Sequence, residues 1–223
     1  LVLGARGSGE PTEERHGLGL TVATAVATIG ERLTGRDLAV SGLEYPAEPI
    51  ATLVDSPQTY LDGIERGVDR AVEQLARRAE LCPAEASVLV GFSQGAMVMH
   101  RAVDRLAAEA PDVLDRVAGV LLIADGDRFP TEEIAHYGSA ESRVGHVGVG
   151  HIVSAGQAGG AIPAALHGRV VSVCDAGDPV CDPRSVSLDA YERHTGYKVG
   201  HREARDAAEH VAALAAEFVA AAA

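Results

Sequence analysis

Along the chain, short runs of branched apolar residues alternate with longer stretches whose apolar positions recur every three or four residues. The short runs, at 1–4, 38–45, 87–92, 117–123 and 169–173, read as buried strands. The longer stretches, roughly 17–34, 58–80 and 94–109, read as helices with one apolar face. The tail from Arg202 is a further helix, with Ala204, Ala207, Val211, Leu214 and Phe218 on one side. Strands alternating with helices predict an α/β domain: a three-layer sandwich around a parallel sheet of about five strands. No repeat or linker divides the chain, so residues 1–223 are expected to form a single domain. The segment 125–168 breaks the pattern, being rich in Gly and His with little periodicity. It follows a strand and so leaves the carboxyl edge of the sheet, where α/β proteins bind ligands.

The sharpest local feature is "VLVGFSQGAMV" at 88–98. A buried strand runs into Gly91-Phe92-Ser93-Gln94-Gly95, and helical spacing begins at once. A strand turning abruptly into a helix strains the turn residue, and the flanking glycines let the turn close without Cβ clashes. Ser93 is lifted onto an exposed point with its hydroxyl free to attack, the arrangement of a nucleophile elbow. Such a serine needs a base and an orienting acid, in the chain order Ser, Asp, His. Asp178 lies directly after a strand, with Asp175 in the same loop and Asp182 just beyond it as competitors. His194 falls in the loop "YERHTGYKVG"; His201, near the start of the last helix, and His210, within it, are the alternatives. The oxyanion of an acyl-transfer intermediate needs donors as well. One is the Gln94 N–H, next after the nucleophile, and another comes from the Gly-rich "GARGSGEP" at 4–11, where Ser8 supplies an N–H and a hydroxyl. No Gly-Lys-Ser/Thr follows, which excludes a phosphate loop. His146 and His151 lack a third ligand at metal spacing, so no metal is expected.

Composition narrows the partners. A net charge of −13 leaves nothing to neutralise nucleic-acid phosphates and disfavours anionic membranes. No apolar run approaches the length of a membrane span. There are three cysteines. Cys174 and Cys181 enclose "DAGDPV", a loop short enough to be clamped by a disulfide around Asp178, while Cys82 has no evident partner. Three reduced thiols in a cytosolic enzyme are the alternative. The chain opens inside a strand, which suggests that residues upstream, such as an export signal, are absent.

"ARGSGEP", "YPA" at 45–47, "CP" at 82–83, "GFSQGA" at 91–96, "CDAGDPVC" at 174–181 and "HTGY" at 194–197 occur in that order. Together they resemble the cutinase family, which includes acetylxylan esterases and lipase-like relatives. The resemblance implies a compact α/β-hydrolase with Ser93 as nucleophile, Asp178 as acid, His194 as base, and Ser8 and Gln94 as the oxyanion hole. It also implies a secreted, cofactor-free enzyme, and a partner for Cys82 immediately before Leu1. The expected activity is a serine esterase, a monomer acting on a small-molecule or polymeric ester. The polar "DPRSVSLDAYERH" between acid and base, and the absence of Trp with only three Phe, point to short-chain or polar esters and against a large apolar docking surface. The alternatives are action on lipids, polyesters or a specialised metabolite, acyl transfer, and a catalytically dead binding protein on the same scaffold.

Overall fold

Each of the five apolar runs forms a strand in the computed structural model, which describes residues 1–129, 133–140, 147–153, 158–183 and 189–222. These strands are β1 (Val2–Ala5), β2 (Val40–Gly42), β3 (Ser87–Phe92), β4 (Val117–Ile123) and β6 (Val170–Val173). A sixth, β5 (Ala135–Tyr137), adds an edge, and the order is β2-β1-β3-β4-β6-β5 with every pair parallel. The sheet therefore has one strand more than the periodicity predicts. β5 lies inside 125–168, and a three-residue strand is too short to display a period of two.

Parallel strands need crossovers, and the helices supply them on both faces. α1 (Gly19–Arg32) and α8 (Arg202–Ala221) cover one face; α3 (Pro57–Leu81) and α4 (Gln94–Glu109) cover the other. The central strands alternate between the two cores. Val88, Val90, Leu121 and Ile123 pack with Val22, Ile29 and Val211, whereas Leu89, Val120 and Leu122 pack with Ile64, Val68 and Met99. Each such fully buried aliphatic side chain contributes about 1.5–3 kcal/mol by leaving water. In α8, Ala204, Ala207 and Val211 are buried as the spacing predicts, and Leu214 and Phe218 are half-buried against the same core. Short helices α2 (Ile50–Asp55), α5 (Pro111–Leu114), α6 (Gly150–Val153) and α7 (Ala190–His194) complete the framework.

The described parts of 125–168 are tied down rather than loose. His100 on α4 bonds Asp125 at 2.6 Å and the Gly160 carbonyl at 2.8 Å. Arg101 donates to Asp127 at 2.6 Å and to Glu65 at 2.8 Å. All but Glu65 and Gly160 are buried charged or polar side chains, and each is satisfied by a partner, as burial demands. These described residues are pinned to α4, and Val149 and Val153 reach the carboxyl edge of the sheet beside Ser93.

Candidate active site

Ser93 occupies the sharp point between β3 and α4. Its backbone sits at φ 54°, ψ −119°, a region a non-glycine residue occupies only when its surroundings enforce it. Its N–H donates to the Ile123 carbonyl at 2.9 Å, which holds the turn against β4. The glycines on either side serve close approach rather than unusual dihedrals. A Cβ on Gly91 would run into the backbone of Gly95 and Ala96, and one on Gly95 would overlap the Ala5 and Arg6 carbonyls at the end of β1.

His194 closes α7 and faces the serine. Its Nε2 lies 2.9 Å from Ser93 Oγ, and its Nδ1 lies 3.0 and 3.2 Å from the two Asp178 oxygens. A carboxylate only accepts, so Nδ1 carries the proton and Nε2 is left to accept from the hydroxyl. Asp178 is 0% exposed and also accepts the N–H groups of Val180 (2.7 Å) and Cys181 (3.1 Å). A Cys174–Cys181 disulfide closes this loop.

The competing residues are occupied elsewhere. Asp175 pairs with His201 Nε2 at 2.8 Å, and His201 also accepts the Ala204 N–H at the start of α8. Hydrogen bonding to His201 holds the Asp175 carboxyl below its ordinary range, and the same bond raises the imidazole. Asp182 accepts the Gly177 N–H at 2.9 Å. His210 is half-buried, not on the open surface as its helix position suggests, and lies 3.1 Å from the Tyr137 hydroxyl. His151 bonds the Asp127 carbonyl, and His146 lies outside the described residues. Among the described residues, no group of three or more His, Cys, Asp or Glu is arranged to hold a metal ion. Cys82, at the end of α3, is a half-buried free thiol.

Gln94 is the first residue of α4, so its N–H belongs to the helix turn that has no preceding carbonyl to bond. The positive end of the helix dipole favours developing negative charge there. Ser8 sits across the cleft, with its hydroxyl donating to the Glu48 carbonyl at 2.6 Å. The loop carrying it is braced by residues whose roles the sequence did not disclose. Arg6 donates to the Glu10, Leu43 and Tyr45 carbonyls. Glu10 accepts the Gly7 and Leu20 N–H groups at 2.6 and 2.9 Å. The Tyr60 phenol is buried beside Ser8 and the Gln94 side chain, and burial pushes its pKa up to about 12. Phe92 stacks on the His194 ring at 5.2 Å and also meets the Tyr197 ring at 6.3 Å. Tyr197, wholly buried, accepts the Asp175 N–H at 2.7 Å. Arg6, Glu10, Tyr45 and Tyr197 all fall inside the quoted motifs, which was the available signal.

A cavity of about 530 Å³ opens over Ser93 and His194. Its walls include Leu53, Leu61, Met97, Val149, Val153 and Val180, together with the exposed Ile50 and Tyr191. This aliphatic lining differs from the polar surroundings expected from the 183–193 segment, of which 184–188 lie outside the described residues. Most of the apolar side chains come instead from α2, α3, α4, α6 and Val149, remote from that segment in sequence, with Val180 just before the segment and Tyr191 within it.

The family profile described as Cutinase matches residues 1–215. A carboxylesterase Culp6 homolog of Corynebacterium glutamicum is 30% identical over 165 residues, 68% of this chain and 53% of that protein. A cutinase of Hypocrea jecorina is 32% identical over 113 residues, 50% of this chain and 40% of that protein. The chain thus spans about half the length of these relatives. Among solved structures, the catalytic core of acetyl xylan esterase from Trichoderma reesei superposes with a TM-score of 0.67 at 20% identity, covering 97% of both chains. A cutinase-like protein from Cryptococcus sp. gives 0.66 at 19% identity, covering 99% of this chain and 92% of that one.

Proposed function

Because the chain belongs to the cutinase family, we propose that it is a serine esterase that hydrolyses carboxylic esters through an acyl-enzyme. The observation that carries this reading is the continuous hydrogen-bonded line Ser93–His194–Asp178 at the floor of an apolar cleft. His194 takes the Ser93 proton through Nε2 as Oγ attacks the ester carbonyl. Asp178 fixes the ring through Nδ1 and stabilises the imidazolium that forms. The Ser8 and Gln94 N–H groups receive the oxyanion. His194 then returns the proton to the departing alcohol, and water repeats the sequence to release the acid.

The disulfide supports residence in an oxidising compartment, so secretion is part of the proposal. We place the acyl group against Leu53, Leu61, Met97 and Val153, in a cleft that accommodates short to medium chains. A second reading, action on lipid or polyester, is favoured by the exposed apolar side chains Ile50, Val153 and Tyr191 in the cleft wall.

Hydrolysis of p-nitrophenyl esters from acetate to palmitate, beside Ser93→Ala, tests both. The expected result is a maximum at short to medium chains and a loss on the order of 10⁴–10⁶-fold in the variant. A maximum at palmitate selects the lipid reading. A folded wild type that is inactive on the whole series and unlabelled by a fluorophosphonate sinks the esterase.

A further inference from the structure

A second cavity, of about 570 Å³, adjoins the first along Leu20, Thr21 and Lys198. It runs between α1 and the turn into α8, and its character is different. Thr24, Thr28, Ala27 and Glu31 form the α1 side, with Val199, Gly200, His201 and Arg205 opposite and Arg15 at one end. Leu20, Ile123, Tyr197 and Val199 add apolar patches, but hydroxyls and charges are interspersed throughout, a mixed lining unlike the aliphatic wall of the first cavity.

Resting on the esterase reading, we infer that this groove receives the alcohol part of the substrate and that Lys198 selects alcohols bearing an anionic group, a carboxylate or phosphate. The direction follows from proton transfer. His194 Nε2 must protonate the leaving alkoxide, so the alcohol departs past the histidine. The wall of the cleft on that side continues from His194 through Thr195 to Lys198, and beyond Lys198 lies the groove. The oxyanion donors, Ser8 and Gln94, are on other elements, near Tyr60.

The choice of residue supports the ligand class. Lys198 is the one lysine in a chain whose 19 cationic residues are otherwise arginines. It is exposed and makes no ion pair with the described carboxylates. The neighbouring cations are engaged: Arg15 with Glu14, Arg205 with Glu209, His201 with Asp175. Glu31 is the groove's own carboxylate. A lysine on a flexible stem is a compact charge that meets an anion without demanding a fixed geometry. On a molecule of net charge −13, an anionic ester is repelled in general and needs a local cation where it enters.

The test compares kcat/KM for the 1-butanoyl ester of glycerol with the butanoyl esters of glycerol 3-phosphate and of glycerate. For the wild type at low salt, both or either anionic ester should exceed the neutral one by roughly three- to ten-fold, a rim-charge effect that 0.5 M NaCl should erase. Lys198→Gln should bring the ratio to about one, and Lys198→Arg should keep it. A wild-type ratio at or below one, or a ratio unchanged in Lys198→Gln, overturns the inference while turnover of the glycerol ester leaves the esterase reading intact. No turnover of any of the three, with no fluorophosphonate labelling, removes both.

Discussion

Tyr197 lies outside the proposed proton-transfer line but is placed to influence it. Its hydroxyl accepts the Asp175 N–H at 2.7 Å. Burial first, and then the adjacent Asp178 charge, keep the phenol protonated well above the ordinary range. A protonated phenol beside Asp178 withdraws charge from the carboxylate that His194 bonds, and its ring backs Phe92, on which His194 stacks. Tyr197→Phe keeps the ring but strands the Asp175 amide, at about 1–3 kcal/mol for an unsatisfied buried donor. We expect kcat to fall roughly ten-fold with KM little changed. Lost stability with an unchanged kcat would make Tyr197 a packing residue only.

The loop 174–181 is the element that positions Asp178. Two N–H groups at its far end, Val180 and Cys181, hold Asp178, and the disulfide prevents that end from opening. A cross-link closing so short a loop contributes about 2.5 kcal/mol, or roughly 5–10 °C in Tm for a domain of this size. Cys174→Ser/Cys181→Ser should lower Tm by that amount and lower kcat at temperatures where the protein remains folded, as thermal denaturation and ester hydrolysis will show; unchanged kcat would mean the turn holds Asp178 without the bridge. The β3–Ser93–α4 unit was legible because a continuous branched apolar run gives way to helical spacing within a few residues. Asp175 and Asp178 were not separable in the same way. Both flank the same turn, and only the partner each faces, His201 or His194, distinguishes them. β5 and α6 were invisible because three or four residues display no period. The aliphatic cleft was invisible for another reason: its apolar walls come from segments as far apart as Leu20 and Tyr191, brought together only by the crossover topology. Arg6 likewise acquires its role from the Leu43 and Tyr45 carbonyls, contacts across 37 and 39 residues.

The net charge of −13 bears on the whole molecule's stability, and the Asp175–His201 pair gives it a local counterpart. Self-repulsion grows as pH rises and destabilises the compact state. His201 is raised by its bond to Asp175, so its contribution is fully present below the unfolded histidine value and is lost as pH climbs through the raised one. Asp175 is lowered, so its contribution is present above the ordinary carboxylate range and fails only as pH falls through the depressed value. Both effects on the alkaline side have the same sign. Urea unfolding should therefore give a larger free energy at pH 6 than at pH 9. The two causes separate by range: 0.5 M NaCl screens charges more than a few ångströms apart but acts less on a partly buried pair in contact at 2.8 Å. Salt should recover part of the loss at pH 9 in the wild type, and His201→Asn should remove the part that salt does not recover. Stability that rises toward pH 9 would mean that neither cause sets the alkaline limit of the fold, and a pH dependence unaltered by His201→Asn would rule out the pair.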